Sequence, residues 1–222
     1  MFNKQELKHY KDVIIALRER NLEPVVTLHH FTNPLWFAKS GGWQNKQARE
    51  YFLRYVQIIT EALCENVRYW VNINEPLVYV YHSYILGIWP PQETSFSKAK
   101  KVKENLFSAH ISAYRLIHNI YRRKNLRTPW VGIAKNTQAF MPCSQSLRNR
   151  FAVYLRSRWF NFEFVQRLIR AKSLDFIGIN YYTRSLVDVE GWRFKNLLLD
   201  TCRKDHSHCK KILWVGIYIP RA

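Results

Sequence analysis

The chain has 222 residues, 47% hydrophobic and 15% aromatic, which is enough for one domain with a sizeable core and excludes a disordered chain. No apolar run is long enough to span a membrane, and "MFNKQELKHY" lacks the apolar core of a secretory signal, so no membrane partner is expected. The net charge of +19 suggests nucleic acid, but the excess is local: ten Lys/Arg against one acid in 101–150 and seven against two in 191–222. The stretch "YRRKNLRTP" reads as a solvated helix end, and no nucleic-acid partner is expected.

Helices and strands alternate along the chain. Leu7, Tyr10, Ile14 and Leu17 share one helical face, Asn3 is placed to cap that helix, and Asn21 fits its left-handed exit before Pro24. "PVVTLHHF" follows as a strand expected to be buried on both faces. A turn-rich loop leads to a second helix over 46–64, and "VRYWVNINEP" is the next strand. A third helix is expected over 104–123, then the strand "WVGIAKNTQ", a helical stretch over 157–171 and the strand "LDFIGINYY". Four strands alternating with helices, without hairpin signals, predict a parallel α/β architecture. The unusual polar residues fall at strand ends (His29 and His30, Asn74 and Glu75, Asn136 and Thr137, Asn180 to Tyr182), and no strand is followed by a Gly-rich phosphate loop. That placement favours a (β/α)8 TIM barrel over an open doubly wound sheet. A whole barrel needs eight strands, so a partial barrel is expected.

Glu75 is the only acidic residue between Glu65 and Glu93, and it closes a run otherwise suited to a protein interior. A carboxyl group at the end of a buried strand is suited to general acid work, and an ion pair with one of the many arginines is the plainer alternative. His30 alone is more often structural, and Phe31, Trp36 and Tyr182 can be core or a sugar-stacking wall. Together at one barrel face, Asn, Glu, His, Tyr and Trp describe a polyol site without a metal triad, so neither metal nor cofactor is expected.

"VVTLHHFTNPLWF", "GGW", "RYWVNINEP" and "DFIGINYYTR" resemble, in order and spacing, glycoside hydrolase family 1, the β-glucosidase and β-galactosidase family. The resemblance covers 1–187 and implies strands three to six of eight. It further implies a retaining mechanism on β-linked glycosides, with Glu75 as acid/base, Asn74 on the sugar 2-hydroxyl and His30 on the glycone. Asn180 matches a site position, and Tyr182 matches the tyrosine that contacts the nucleophile. The nucleophile motif and its strand have no match. The expected outcome is a β-glycosidase by descent that is inactive on its own, or else a non-catalytic carbohydrate-binding or interaction protein. Open barrel edges predict self-association.

Residues 188–222 show neither the family pattern nor a clean period, and an irregular tail is expected there, out of frame from soon after Arg184. "CRKDHSHC" offers Cys202, His206, His208 and Cys209, but its spacing fits no known zinc finger. Four scattered cysteines make no disulfide framework; free thiols and a cytoplasmic location are expected.

Overall fold

The computed structural model describes residues 2–190, 192, 196, 197 and 202, and the backbone of 214–218. Helix α1 (Lys4–Glu19) begins where Asn3 Oδ1 accepts from the N–H groups of Gln5 and Glu6 at 3.0 and 3.3 Å. It ends before Asn21, whose φ of 57° turns the chain towards strand β1 (Val25–His29). A short helix α2 (Leu35–Lys39) precedes helix α3 (Ala48–Leu63) and strand β2 (Tyr69–Asn74). Pro76 opens helix α4 (Pro76–Val80), which continues into a π-helical turn, Tyr81–Ile85. Helix α5 (Phe96–Arg123) starts eight residues before the expected position, because the Ser95 hydroxyl accepts from Lys98 N–H and caps it there. Strand β3 (Trp130–Pro142), helices α6 (Leu147–Arg156) and α7 (Phe164–Arg170) and strand β4 (Phe176–Val187) complete the alternation.

The sheet order is β1-β2-β3-β4, all parallel, as an arc of a (β/α)8 barrel requires. The register aligns Val25 with Tyr69, Tyr69 with Trp130 and Gly132 with Phe176, so the strands start level at one end. Helices α3 and α5 close the outer face. Val56, Leu63, Ala109, Ala113 and Ile117 are buried there with Trp70 and Val131. Each large apolar side chain buried in this way contributes about 1.5–3 kcal/mol over an exposed one. Trp70 Nε1 donates to the Tyr121 hydroxyl at 2.9 Å, and that hydroxyl donates to the Val67 carbonyl, so the buried indole N–H of Trp70 is satisfied.

Three expectations are corrected. β1 is an edge strand rather than a doubly buried one: Val25 is 41% exposed, and only the end of the strand, Leu28 and His29, is buried. The tail is not wholly irregular. Trp214–Tyr218 forms strand β5, antiparallel to β4, with Asn180 opposite Val215 and Ile177 opposite Tyr218. A strand edge of unpaired N–H and C=O groups pairs readily with a β-branched segment, and β5 takes that place beside β4, so the outer strands of the described sheet are β1 and β5. Finally, Cys143 and Cys202 are joined in a disulfide across 59 residues of chain, where free thiols were expected. Cys143 N donates to Val187 O and Cys202 N to Leu186 O, and this pairing with the end of β4 brings the two together. His206, His208 and Cys209 lie outside the described residues.

Candidate active site

Asn74 ends β2, and Glu75 follows it in the left-handed region with φ of 45° and ψ of 58°. Such a conformation is uncommon for a residue with a side chain, and it persists only where the surroundings impose it. Two of those surroundings are visible. The N–H of Glu75 donates to the Ala134 carbonyl at 2.7 Å, which holds the turn to β3. Pro76 then fixes the start of α4, so the chain must change direction within this one residue.

A register irregularity between Val71 and Asn74 re-aims the strand end. Asn72 Nδ2 donates outward to the His110 carbonyl on α5 at 3.4 Å. Asn74, two residues on, instead accepts through Oδ1 from Asn180 Nδ2 of β4 at 3.2 Å. The same Asn180 amide donates to Glu75 Oε1 at 2.6 Å. One amide thus spans β3 and fixes both polar side chains at the C-terminal end of β2. Asn74, Glu75 and Asn180 are all buried, at 5%, 4% and 8% exposure, so these bonds replace those that water would supply. Tyr182 lies two residues beyond Asn180 and is half-exposed. Burial, and then the Glu75 carboxylate to which it hydrogen-bonds, push its hydroxyl above the usual tyrosine range.

Lys135 was not singled out by the sequence reading. Alternation along β3 puts it in the row of Val131 and Ile133, which faces the helices, and it is 1% exposed. Its ammonium donates to the Asn136 carbonyl and lies 4.1 Å from the centre of the Phe160 ring. Burial pulls its pKa down to about 7 against the opposing pull of Glu75. The signal available in the sequence was a lone lysine inside the apolar strand "WVGIAKNTQ".

Among the described residues, no hydrogen bond or ring contact joins His30 to this group. It is exposed, with its ring 5.0 Å from that of Phe31, and it borders a cavity of about 610 Å³ shared with Trp36, Phe37, Trp43 and Phe52. Glu75 and Asn180 do not line that cavity. Its neighbour His29 is the buried member of the pair, edge-on to Trp43, Phe52 and Tyr79. Trp43 Nε1 donates to His29 Nε2 at 3.3 Å, and burial lowers the His29 pKa to about 4.

The arrangement is therefore a carboxyl group at the C-terminal end of a barrel strand, held by the Asn180 amide and flanked by a phenol. Residues 1–170 match the family model for glycosyl hydrolase family 1. The chain belongs to glycosyl hydrolase family 1. Within that family it is 34% identical over 154 residues to a 6-phospho-beta-galactosidase from Clostridium acetobutylicum, covering 69% of this chain and 31% of that protein. It is 24% identical over 212 residues to beta-glucosidase A of Thermotoga maritima, covering 83% and 46%. Among solved structures, the beta-glycosidase from Pyrococcus horikoshii superposes with a TM-score of 0.83 at 34% identity, covering 92% of this chain and 49% of that one. The chain thus spans about half the length, or less, of the family 1 relatives it matches.

Proposed function

We propose that the chain carries the acid/base half of a retaining β-glycosidase site, with Glu75 as the proton donor. The observation that supports this is the buried contact of Asn180 with both Glu75 and Asn74 at the C-terminal strand ends. In a retaining mechanism two carboxyl groups stand about 5 Å apart across the anomeric carbon. One attacks to form a glycosyl-enzyme; the other protonates the leaving oxygen and then deprotonates the incoming water. Glu75 suits the second task, because it sits at the strand end with one oxygen pinned by Asn180 and a phenol alongside. Asn74 and Asn180 are placed to hold a sugar hydroxyl beside it, and His30 belongs to this reading as a more distant glycone contact. The substrate class is a β-linked glucoside or galactoside, and the expected compartment is the cytoplasm.

These 222 residues hold no match to the nucleophile motif of the family, so we further propose that they hydrolyse little or nothing by themselves. Loss of a nucleophile removes most of a rate enhancement that is commonly about a million-fold or more. The test is release of nitrophenol from an aryl β-glucoside by the purified chain. No turnover above buffer is expected. Turnover that disappears in Glu75→Gln would overturn the inactivity and keep the assignment of Glu75; turnover unchanged by Glu75→Gln would sink the assignment itself. The out-of-frame origin of the tail belongs to the same reading and is tested by the coding DNA downstream of Arg184. If no other frame there encodes the family pattern, that part is wrong.

A second reading is carbohydrate binding without hydrolysis. It is supported by the aromatic lining of the cavity bordered by His30, since flat apolar rings suit sugar faces. Glucose or galactose should then raise the melting temperature, and Trp36→Ala should remove the effect. Self-association is supported by the open β1 edge, and it should show as a concentration-dependent mass in sedimentation.

A further inference from the structure

We propose that Cys143, Cys202 and Asp188 form a thiolate–carboxylate site for a borderline-soft divalent cation of the zinc class once the two cysteines are reduced. The two sulfurs and a carboxylate oxygen of Asp188 all lie within 4.8 Å of one another. This convergence follows from the sheet. Pro142 and Val187 are opposite each other at the last position of the β3–β4 register, so the next residue on each strand is Cys143 and Asp188. Cys143 N donates to Val187 O at 2.9 Å, and Cys202 N donates to Leu186 O at 3.0 Å. Each cysteine is therefore tied to the end of β4 by a backbone hydrogen bond that does not involve its sulfur.

The Cα atoms of the pair are 6.2 Å apart. Two thiolates on one tetrahedral zinc, each at about 2.3 Å, stand roughly 3.8 Å from each other. Side-chain rotation alone converts one state into the other at this Cα spacing.

A second observation concerns Asp188. Asn149, 1% exposed, donates through Nδ2 to Asp188 Oδ1 at 3.0 Å and to the Ser144 hydroxyl at 3.0 Å. Its own Oδ1 accepts from Val189 N at 2.9 Å. One carboxylate oxygen is thus fixed by a buried amide that is itself fixed by backbone, which orients the carboxyl group beside the two sulfurs. That is the outer-shell arrangement by which proteins orient a ligating carboxylate. The donor set, two sulfurs and one oxygen with the fourth position for water, selects zinc over magnesium or calcium.

The chemistry balances with a thiol or phosphine reductant. The reductant gives two electrons to the disulfide, two protons are taken up as the thiols form, and the cation displaces those protons as thiolates bind it. The disulfide and the metal are alternative ties joining the ends of β3 and β4 to the tail. The cytoplasmic location expected from the sequence is the setting in which the reduced form prevails. The inference is independent of the glycosidase reading and of the frame that produced the tail.

The test uses the full chain, reduced and cleared of reductant without air, and titrated with Co²⁺ as a visible stand-in for zinc. One equivalent should bind with thiolate-to-cobalt charge-transfer and tetrahedral absorption, zinc should displace it, and the oxidised chain should show no such bands. Cys143→Ser should abolish the charge-transfer band, and Asp188→Asn should weaken binding at least tenfold. Cys64→Ser and Cys209→Ser should leave both unchanged. Bands that survive in Cys143→Ser, or affinity unmoved by Asp188→Asn, would place the metal elsewhere and overturn the proposal. If the variants fail to fold, X-ray absorption on the zinc-loaded wild-type chain decides: two sulfurs with oxygen neighbours support the site, and any other count rejects it.

Discussion

Asn180 Nδ2 stands 2.6 Å from Glu75 Oε1 although 105 residues separate the two along the chain. The bond is buried at both ends, so its loss deprives the Glu75 carboxyl group of a buried donor. Asn180→Ala should therefore lower stability by about 1–3 kcal/mol, read as a drop in the urea midpoint. Asn180→Asp should cost more than Asn180→Ala, because it sets a second carboxyl group against that of Glu75 in a buried contact. Equal losses in the two variants would argue against direct contact.

Lys135 makes the opposite case, a buried polar group whose removal should help. Its amine is desolvated beside the Asn136 carbonyl and the Phe160 ring, and the attraction of Glu75 offsets only part of that cost. Lys135→Met keeps the packing and discards the desolvation cost, and it should raise stability by about 1–3 kcal/mol. The folded pKa of about 7 lies below the ordinary 10.5, so between those values the unfolded chain binds the extra proton and the wild type gains stability as pH rises. The advantage of the methionine should therefore be greatest below pH 7 and shrink towards pH 10. Melting curves at pH 6 and pH 9 check both the sign and the trend.

Acid should unfold the chain through its histidines before its carboxylates. His29 and His110 are buried and their pKa values are pushed down from 6.5 to about 4, by burial first in each case. Between these limits the unfolded state takes up protons that the folded state refuses, so stability is complete above pH 6.5 and falls as pH drops towards 4. Each histidine contributes at most about 1.4 kcal/mol per pH unit across that window. His110→Gln should flatten the fall, although the loss of the bond to the Ser173 carbonyl lowers the plateau. A wild-type melting temperature unchanged from pH 7 to pH 5 would contradict this.

Gly132 is required by close approach. A Cβ there would meet the Phe176 carbonyl oxygen on β4, and that backbone atom has no freedom to withdraw. Gly132→Ala should part the start of the β3–β4 ladder and give mostly insoluble chain. Gly178→Ala should be milder, since its Cβ would come no closer than 3.4 Å to Ala134 Cα. The soluble yields of the two variants, compared side by side, are the measurement.

The order of elements was legible because each obeys a local rule. Asn3 caps, Asn21 exits left-handed and Pro24 forbids continuation; the four parallel strands needed only β-branched runs and the absence of hairpin turns. The strand ends that carry Asn74, Glu75, Asn180 and Tyr182 stood out for the same reason: polar residues ended apolar runs. Long-range choices were hidden. Nothing local distinguishes His29 from His30, and the structure buries the first among Trp43, Phe52 and Tyr79 while the second faces out. Lys135 stood out only as a lone lysine in an apolar strand, and it is the pleat of β3 that turns it towards Phe160.

By itself the sequence determined the alternating β/α plan, the carboxyl group that ends β2 and the family, because periodicity, caps and motifs are written within a few residues of each other. Tertiary structure alone decided that Asn180 reaches Glu75, that the tail pairs with β4 and that Cys143, Asp188 and Cys202 meet. Those contacts join residues tens to a hundred positions apart, and only the register between strands, which no single segment encodes, sets which of them touch.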